Sequence, residues 1–598
     1  MANNPSYQNR ENIYKMSSPF PNRYNKFDLS YEHKTNFKIG QLIPIGWTTV
    51  LPGDRIKIGI NYRAVLETLA KSGFYNLKIK FRSYFVSNRQ MWRRWDNFYT
   101  GGQDGNYSVV PPNLFISYPD KKRMIGTIID YLGLPLPDVP SGQSQVSYSI
   151  LPFPLVAYDL IYWNNFINKH VEKNLPYYIQ SDYLDSSIND LCENDYYTGG
   201  SSGSYCRMFK TKPAFLSYMS KNGYPELTTS TSSPDYQRDT FVCYNVNWEK
   251  DYFTDAHLTQ SLGTPPVIPI DTNFSPITTP NNFSMPVGIG SSSTSIPTNY
   301  LNSVAGSDTT TLNTAASSRQ TLHTVLQGQE FLSWAISNLS ISSTGFNAFD
   351  IRTAFQTTII QEAALLGGWE AQDYLQYFYG TSPSDYALKK PVYIGGFNSS
   401  FYTNEVFQTS SNDNSPLGDY AGRGDSGDRG FIGSYNAKEF GIVMTLMYVM
   451  PNGFSYIAQG LRKELTNWDR WSWQNPAFVN LQEQPIYNRE IYLQGTSDDS
   501  KIFGFQSIYD EFRMNRDIST CDMRDSLSFW HTDRGFSSLP VLNAEFLKVK
   551  PSYFDRIFSI GDTSISNRNQ IFIDAYNIFL VDRQLPQTSI PGLIDHRY

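Results

Sequence analysis

The sequence predicts a mainly β fold, a Greek-key or jelly-roll domain with long loop insertions and a few helices. Three observations predict it: apolar residues fall in short runs, the connections between those runs are long, and helical spacing appears in few places. Jelly-roll loops can grow without disturbing two packed sheets. One core with insertions therefore suits 598 residues better than the roughly four domains that a length prior suggests. The expected division is an extended N-terminal arm over 1–26, a single discontinuous domain over 27–581, an inserted surface segment over 262–320 within it, and an extended C-terminal tail over 582–598.

The elements follow in chain order. After the polar, turn-rich arm, Leu42–Trp47 and Arg55–Ile60 read as strands around Leu51-Pro-Gly-Asp54, where Pro fixes φ and Gly accepts positive φ. Leu77–Arg82 alternates strictly, with Leu77, Ile79 and Phe81 on one face and Lys78, Lys80 and Arg82 on the other. That pattern is expected to be a half-buried strand with a solvated basic face; the sharper alternative is a basic stripe lining a nucleic-acid compartment. Val156, Leu160, Trp163 and Ile167 have the spacing of one apolar helical stripe, and 350–379 read as a helix opened by Asp350 and interrupted at Gly367-Gly368. Residues 262–320 are dominated by Ser, Thr, Asn, Pro and Gly and are expected to form a surface insertion with short strands, against the alternative of a floppy loop. Gly441–Met450 is almost continuously apolar, as a strand buried on both faces should be, and Asn569–Val581 reads as a late core strand.

Composition bounds the partners. Charged residues make up 17%, below the ~25% of ordinary domains, and aromatics reach 15%. Tyr and Trp are enriched at protein contacts, so extensive self-association is expected, with an aromatic, glycan-binding β protein as the competing reading. A net charge of −6 excludes a global basic field, and any nucleic-acid contact must be local. Cys192, Cys206, Cys243 and Cys521 include no C-x-x-C pair, which favours a reducing compartment. With no signal-like start and no apolar run near ~18 residues, folding in a cytosol without membrane insertion is expected, and the sequons at Asn106 and Asn273 are incidental.

Catalytic patterns fail their context tests. Gly422-Arg-Gly-Asp-Ser-Gly427, which reads as part of a loop, matches a dinucleotide fingerprint, but no apolar strand precedes it and no helix follows. Gly424-Asp-Ser-Gly427 resembles the surroundings of a serine nucleophile, yet Asp428 follows and no histidine motif accompanies it. The six histidines are scattered, and Asp413, Asp419, Asp425 and Asp428 lack the spacing of a calcium loop. Paired carboxylates of a glycoside hydrolase are diagnosed in space rather than in sequence. No enzyme, catalytic residue, metal or cofactor is expected.

Ordered segments carry a resemblance. They are Phe27–Phe37, Leu51–Asp54, Tyr84–Arg89 with Trp92 and Trp95, Asn247–Thr254, Arg352–Gln356 before Gly367-Gly368, Pro391–Gly396 and Pro416–Gly422. Asn475–Phe478, Asn488–Tyr492, Gln494-Gly495, Phe503–Gln506, Tyr509, Glu511, Arg513, Trp530-His531 and Leu542–Phe546 continue the series. Together they resemble the major capsid protein of microviruses, small single-stranded DNA phages, and particularly the gokushovirus-like branch. The resemblance implies an eight-stranded antiparallel viral jelly roll, a T=1 icosahedral shell of identical subunits, and enclosure of circular single-stranded DNA. It also implies a small basic DNA-packaging protein, a DNA pilot protein, a host-cell surface receptor, and a virion assembled in the host bacterial cytoplasm. An insertion should form a protrusion near each threefold axis. It is placed at 262–320, with Pro265, Pro269, Asn282, Pro286, Ser292 and Pro297 as its candidate residues and 194–240 as a second possibility.

Departures bear on nucleic acid. His257–Gln260 stand where the family has a Pro-Trp-Pro-Gln-Lys-like run. Ala363–Leu366 and Trp369-Glu370 replace basic residues around the Gly-Gly pair, and Trp468–Trp473 thin another basic cluster. The DNA-contact candidates are Lys78, Lys80 and Arg82, together with Arg89, Arg93 and Arg94 interleaved with Trp92 and Trp95; the alternative for the latter is a core or interface turn.

Overall fold

In the computed structural model, the described residues are 24–92, 95–100, 114–172, 239–260, 390–407, 420–451, 455–466, 483–559 and 569–585, with shorter pieces between them and parts of 272–367. The chain divides into two compact units, one made of Met1–Gln260 with Glu370–Tyr598 and the other of Ser261–Trp369. The protein is mainly β, and its large sheets are antiparallel.

Ten strands organise the first unit: β1 (Asn25–Asp28), β2 (Tyr31–Phe37), β3 (Ile43–Val50), β4 (Arg55–Leu66), β5 (Leu77–Ser87), β6 (Val392–Ser400), β7 (Tyr402–Phe407), β8 (Tyr420–Asn436), β9 (Gly441–Pro451) and β10 (Ile571–Arg583). One sheet has the order β1-β10-β4-β8-β7, with β2 also on β10; the other has the order β6-β5-β9-β3. The two lie face to face. The Tyr62 ring of β4 sits 5.0 Å from Phe81 of β5, and Phe85 of β5 sits 4.7 Å from Tyr435 of β8. Alternation in β4 drives this packing: Ile56, Ile58, Ile60, Tyr62, Ala64 and Leu66 point into one shared apolar core, while Arg55, Lys57, Asn61 and Arg63 point out.

The Leu51–Asp54 turn does not close a hairpin. It carries the chain from β3 in one sheet to β4 in the other. Gly53 takes φ +92° there, and the Asp54 carboxylate accepts the Leu51 N–H at 2.8 Å. Arg583 donates to both Asp54 oxygens, at 3.1 and 3.0 Å from Nε and 2.7 Å from Nη2, which fastens the crossing to the end of β10.

β9 is buried along its whole length, as its unbroken apolar run requires. Helix α1 (Phe153–Asn165) packs on this sheet, and Phe166 at its end lies 5.8 Å from Tyr448 of β9. The helix starts with Pro at its first turn and buries every residue from Leu155 to Trp163, so it is enclosed all round rather than striped; Ile167 falls beyond it. β10 keeps the alternation of a one-sided strand: Ile571, Ile573, Ala575, Phe579 and Val581 face the core and Phe572, Tyr576 and Leu580 do not.

The Gly422–Gly427 stretch, read as part of a loop, lies in strand β8. Its glycines admit another chain segment: a Cβ on Gly422 would lie 2.4 Å from Lys71 O, and one on Gly424 would lie 2.4 Å from Leu66 Cδ1. Ser426 is buried and its hydroxyl pairs with Tyr62 Oη at 2.9 Å, a packing contact.

A satellite core forms where 251–256, 486–503 and 542–547 meet around Phe253, Tyr456, Ile491 and Phe546. In the second unit, Ser284–Gly290 pairs antiparallel with Thr298–Asn302 and Thr321–His323, and Thr272–Phe274 pairs with Ile341–Ser343. Helix α2 (Ala348–Gly367) begins two residues before Asp350, so Asp350 lies in the first turn instead of capping it; the rest of the expected 350–379 helix, from 368 onward, lies outside the described residues.

Candidate functional site

The basic stretch on β5 is mostly engaged inside the subunit. Lys80 is buried and its ammonium meets the Glu249 carboxylate, which corrects the expectation of a wholly solvated basic face. The cause is position: β5 is central in its sheet and the 239–249 segment reaches its second face, so alternation there does not mean exposure. Arg82 Nη1 donates to Phe81 O and Asn398 Oδ1, both at 2.7 Å, and Lys78 is half-buried opposite Ser400.

The interleaved stretch that follows starts with a capping box, in which Ser87 Oγ accepts from Gln90 N at 3.3 Å and Gln90 Oε1 accepts from Ser87 N at 3.4 Å. Arg89 Nη2 donates to Glu439 Oε1 at 2.9 Å. The half-buried Trp92 and Trp95 rings gather on Phe153, at 6.5 and 6.1 Å, and Trp95 also meets Phe440 at 5.6 Å. Arg93 and Arg94 lie outside the described residues, as do Pro265, Pro269, Asn282, Ser292 and Pro297 and nearly all of 194–240; Pro286 lies in the central strand Ser284–Gly290 of the second unit.

Two features escaped the sequence reading. The first is the outer face of the β10-β4-β8 sheet. Tyr576 lies opposite Asn61, which lies opposite Arg429; Ile578 and Phe431 flank the bare Gly59; Arg63 lies between Asp574 and Gly427. Phe431, Tyr402, Val406, Phe572, Tyr576 and Leu580 are all exposed among these charges. Twelve residue pairs between β10 and β4 and eleven between β4 and β8 span about 40 Å by about 14 Å at standard strand spacing. The alternation Phe572, Asp574, Tyr576, Ile578, Leu580 was the available signal, hidden because its other face is equally apolar.

The second is a cavity with about 490 Å³ of empty space, mouth included, between the 251–253 turn, the 462–464 turn and the 511–516 segment. Tyr252 Oη donates to Glu490 Oε2 at 2.8 Å, while Glu490 Oε1 accepts the Tyr487 N–H at 2.9 Å. Arg516 lies 5.2 Å over the Phe253 ring and donates to Glu490 O at 3.0 Å. Burial pushes the Glu490 carboxyl and the Tyr252 phenol up, the latter with help from the Glu490 charge; burial also pulls the Lys463 ammonium and the Arg516 guanidinium down. Asp251–Phe253, Glu490 and Glu511 all belong to the segments that carry the family resemblance, and the fold brings them to one place.

Among the described residues no cluster of three His, Cys, Asp or Glu side chains could hold a metal ion, and no helix is long and apolar enough to cross a membrane. A family model described as "Capsid protein (F protein)" matches residues 20–593. Capsid protein VP1 of Chlamydia phage 1 is 26% identical over 633 residues, covering 96% of each chain. Capsid protein VP1 of Bdellovibrio phage phiMH2K is 26% identical over 88% of this chain and 87% of its own, and that of Spiroplasma virus 4 is 25% identical over 94% of each.

Proposed function

The chain belongs to the capsid protein (F protein) family of microvirus-type phages, a structural family of the virion, and from that premise we propose that it is the subunit of a T=1 icosahedral shell enclosing circular single-stranded DNA. What supports the reading most is the family match across 20–593, nearly the whole chain. Two antiparallel sheets packed over one core suit an eight-stranded jelly roll with elaborated loops and edges.

In this reading the outer face of the β10-β4-β8 sheet is a seam covered by a second copy. Its extent of about 40 Å by about 14 Å on three strands, widened by β7 and β2, approaches the ~800 Å² per partner of a specific interface. Exposed aromatics with interspersed charges of both signs suit a protein partner. Closed symmetry repeats one such contact many times, so each can be modest.

The 262–320 segment forms the protrusion at each threefold axis and is the surface for host attachment. Residues 1–26 and 582–598 act as arm and tail between neighbours. DNA is held without base-sequence specificity by inner-surface cations and aromatics, with Arg89, Trp92, Arg93, Arg94 and Trp95 as candidates and Lys78 and Arg82 in a supporting role; the buried Lys80 is paired with Glu249. A small basic packaging protein offsets the net charge of −6, and a DNA pilot protein and a host receptor complete the partners; assembly takes place in the host cytoplasm. Electron microscopy of the purified full-length chain tests the reading. Closed icosahedral particles are expected, and a persistent monomer under all assembly conditions overturns it.

A further inference from the structure

The Tyr252–Arg516 cavity offers donors more than acceptors. Asp251 Oδ1 accepts from the Phe253 and Thr254 N–H groups at 2.8 and 2.7 Å, and Oδ2 accepts from Tyr456 Oη at 2.6 Å. Both Glu490 oxygens are likewise engaged, by Tyr487 and Tyr252. The cations differ. Lys463 has three N–H groups and makes one hydrogen bond among the described residues, to Pro485 O at 3.1 Å. Arg516 has five and makes one among them, to Glu490 O.

Three ligand classes can be weighed against this lining. A sugar needs acceptors for its hydroxyl protons, and the two most enclosed carboxylates are already occupied. A phosphate would meet Asp251, Glu464, Glu490 and Glu511. A nucleobase is neutral, flat and rich in carbonyl and ring-nitrogen acceptors. It can present that edge to Lys463 and Arg516 with the rings of Tyr252 and Phe253 beside it.

We propose that this cavity takes one unstacked base of single-stranded nucleic acid, with the sugar and phosphate left at its mouth. The proposal rests on the reading of the chain as a DNA-enclosing shell, to which it adds a specific point of attachment. A base held this way anchors the strand without reading a long sequence, because every base has a π-face and acceptor atoms.

Fluorescence anisotropy with the purified full-length chain separates the possibilities. A short oligothymidylate is compared with an abasic strand of equal length, which keeps the phosphates. The abasic strand should bind about tenfold more weakly. Arg516→Met and Lys463→Met should abolish that difference. Equal affinity of the wild-type chain for both strands overturns the pocket and leaves the shell standing; binding to neither strand overturns the DNA-enclosing reading as well. A wild-type readout avoids dependence on the variants folding. A strand carrying 5-iododeoxyuridine should photocrosslink to Tyr252 or Phe253, and crosslinks confined to other peptides overturn the assignment.

Discussion

Lys548 places its ammonium 2.9 Å from the Glu172 carboxylate, in an ion pair whose side chains are each 1% exposed and whose partners are 376 residues apart. Tyr162 Oη of α1 accepts a further bond from the same ammonium at 2.5 Å. The Lys548 carbonyl accepts the Trp248 indole N–H at 3.1 Å. One side chain therefore ties the segment after α1 to the 544–550 segment, far along the chain.

Removing one partner strands a buried charge, and that costs about 3–5 kcal/mol. Lys548→Met and Glu172→Leu should each lower the thermal midpoint of the isolated subunit markedly, whereas the double variant should recover much of the loss. A melting series by circular dichroism checks this. Single variants that melt with the wild type would show that the pair contributes nothing net.

The two sheets approach so closely at one point that no side chain fits. A Cβ built on Gly395 of β6 would lie 2.1 Å from Ile432 O of β8, a backbone atom that cannot rotate away. Overpacking of this kind costs about 1–3 kcal/mol. Gly395→Ala should destabilise the subunit by about that amount, measured by denaturant unfolding, while Gly427→Ala, whose nearest neighbour is Tyr62 O at 3.4 Å, should cost much less.

The strands with one periodic signal were legible before the structure. The β9 run at Gly441–Met450 and the β5 alternation at Leu77–Arg82 were found at their observed positions, because burial on two faces or one writes itself into local sequence. What escaped depends on partners distant in sequence. Lys80 is buried because Glu249 reaches it, and β8 reads as a loop because its glycines serve close approach by 66–72. The cavity joins residues from 251 to 516, a constellation that no local window contains.

Glu490 gives the cavity a pH signature. Burial raises its carboxyl above the usual 4.5, so the folded chain holds a proton there that the unfolded chain would release. Such a group adds stability below its unfolded value and loses it as pH rises through the folded one. The midpoint of the wild type minus that of Glu490→Gln should therefore grow as pH falls from about 7 to about 5, near the unfolded carboxyl value. Taking the difference removes opposing groups such as Glu464, whose carboxyl hydrogen-bonding to Arg462 lowers it against the effect of burial. A difference that is flat in pH would mean that Glu490 stays ionised throughout.

The outer sheet face supplies the sharpest test of the seam. Phe431 is 66% exposed and Tyr576 44% exposed, so replacing them removes little from the subunit's own core. Surface changes of this kind usually stay within about 0.5 kcal/mol. Phe431→Lys with Tyr576→Lys deletes two aromatic contacts and adds two charges beside Arg429, Arg63 and Lys57. If a second copy covers this face, the double variant should remain a folded monomer and fail to form particles, because buried like charges must be desolvated without partners. Val541→Lys, at an exposed site outside the strands of this sheet, serves as the control and should assemble. If the face instead met nucleic acid, the added cations would strengthen strand binding and steepen its salt dependence. Velocity sedimentation for particles and anisotropy for DNA read the two outcomes from one preparation. Normal particles from the double variant would remove this face from the seam.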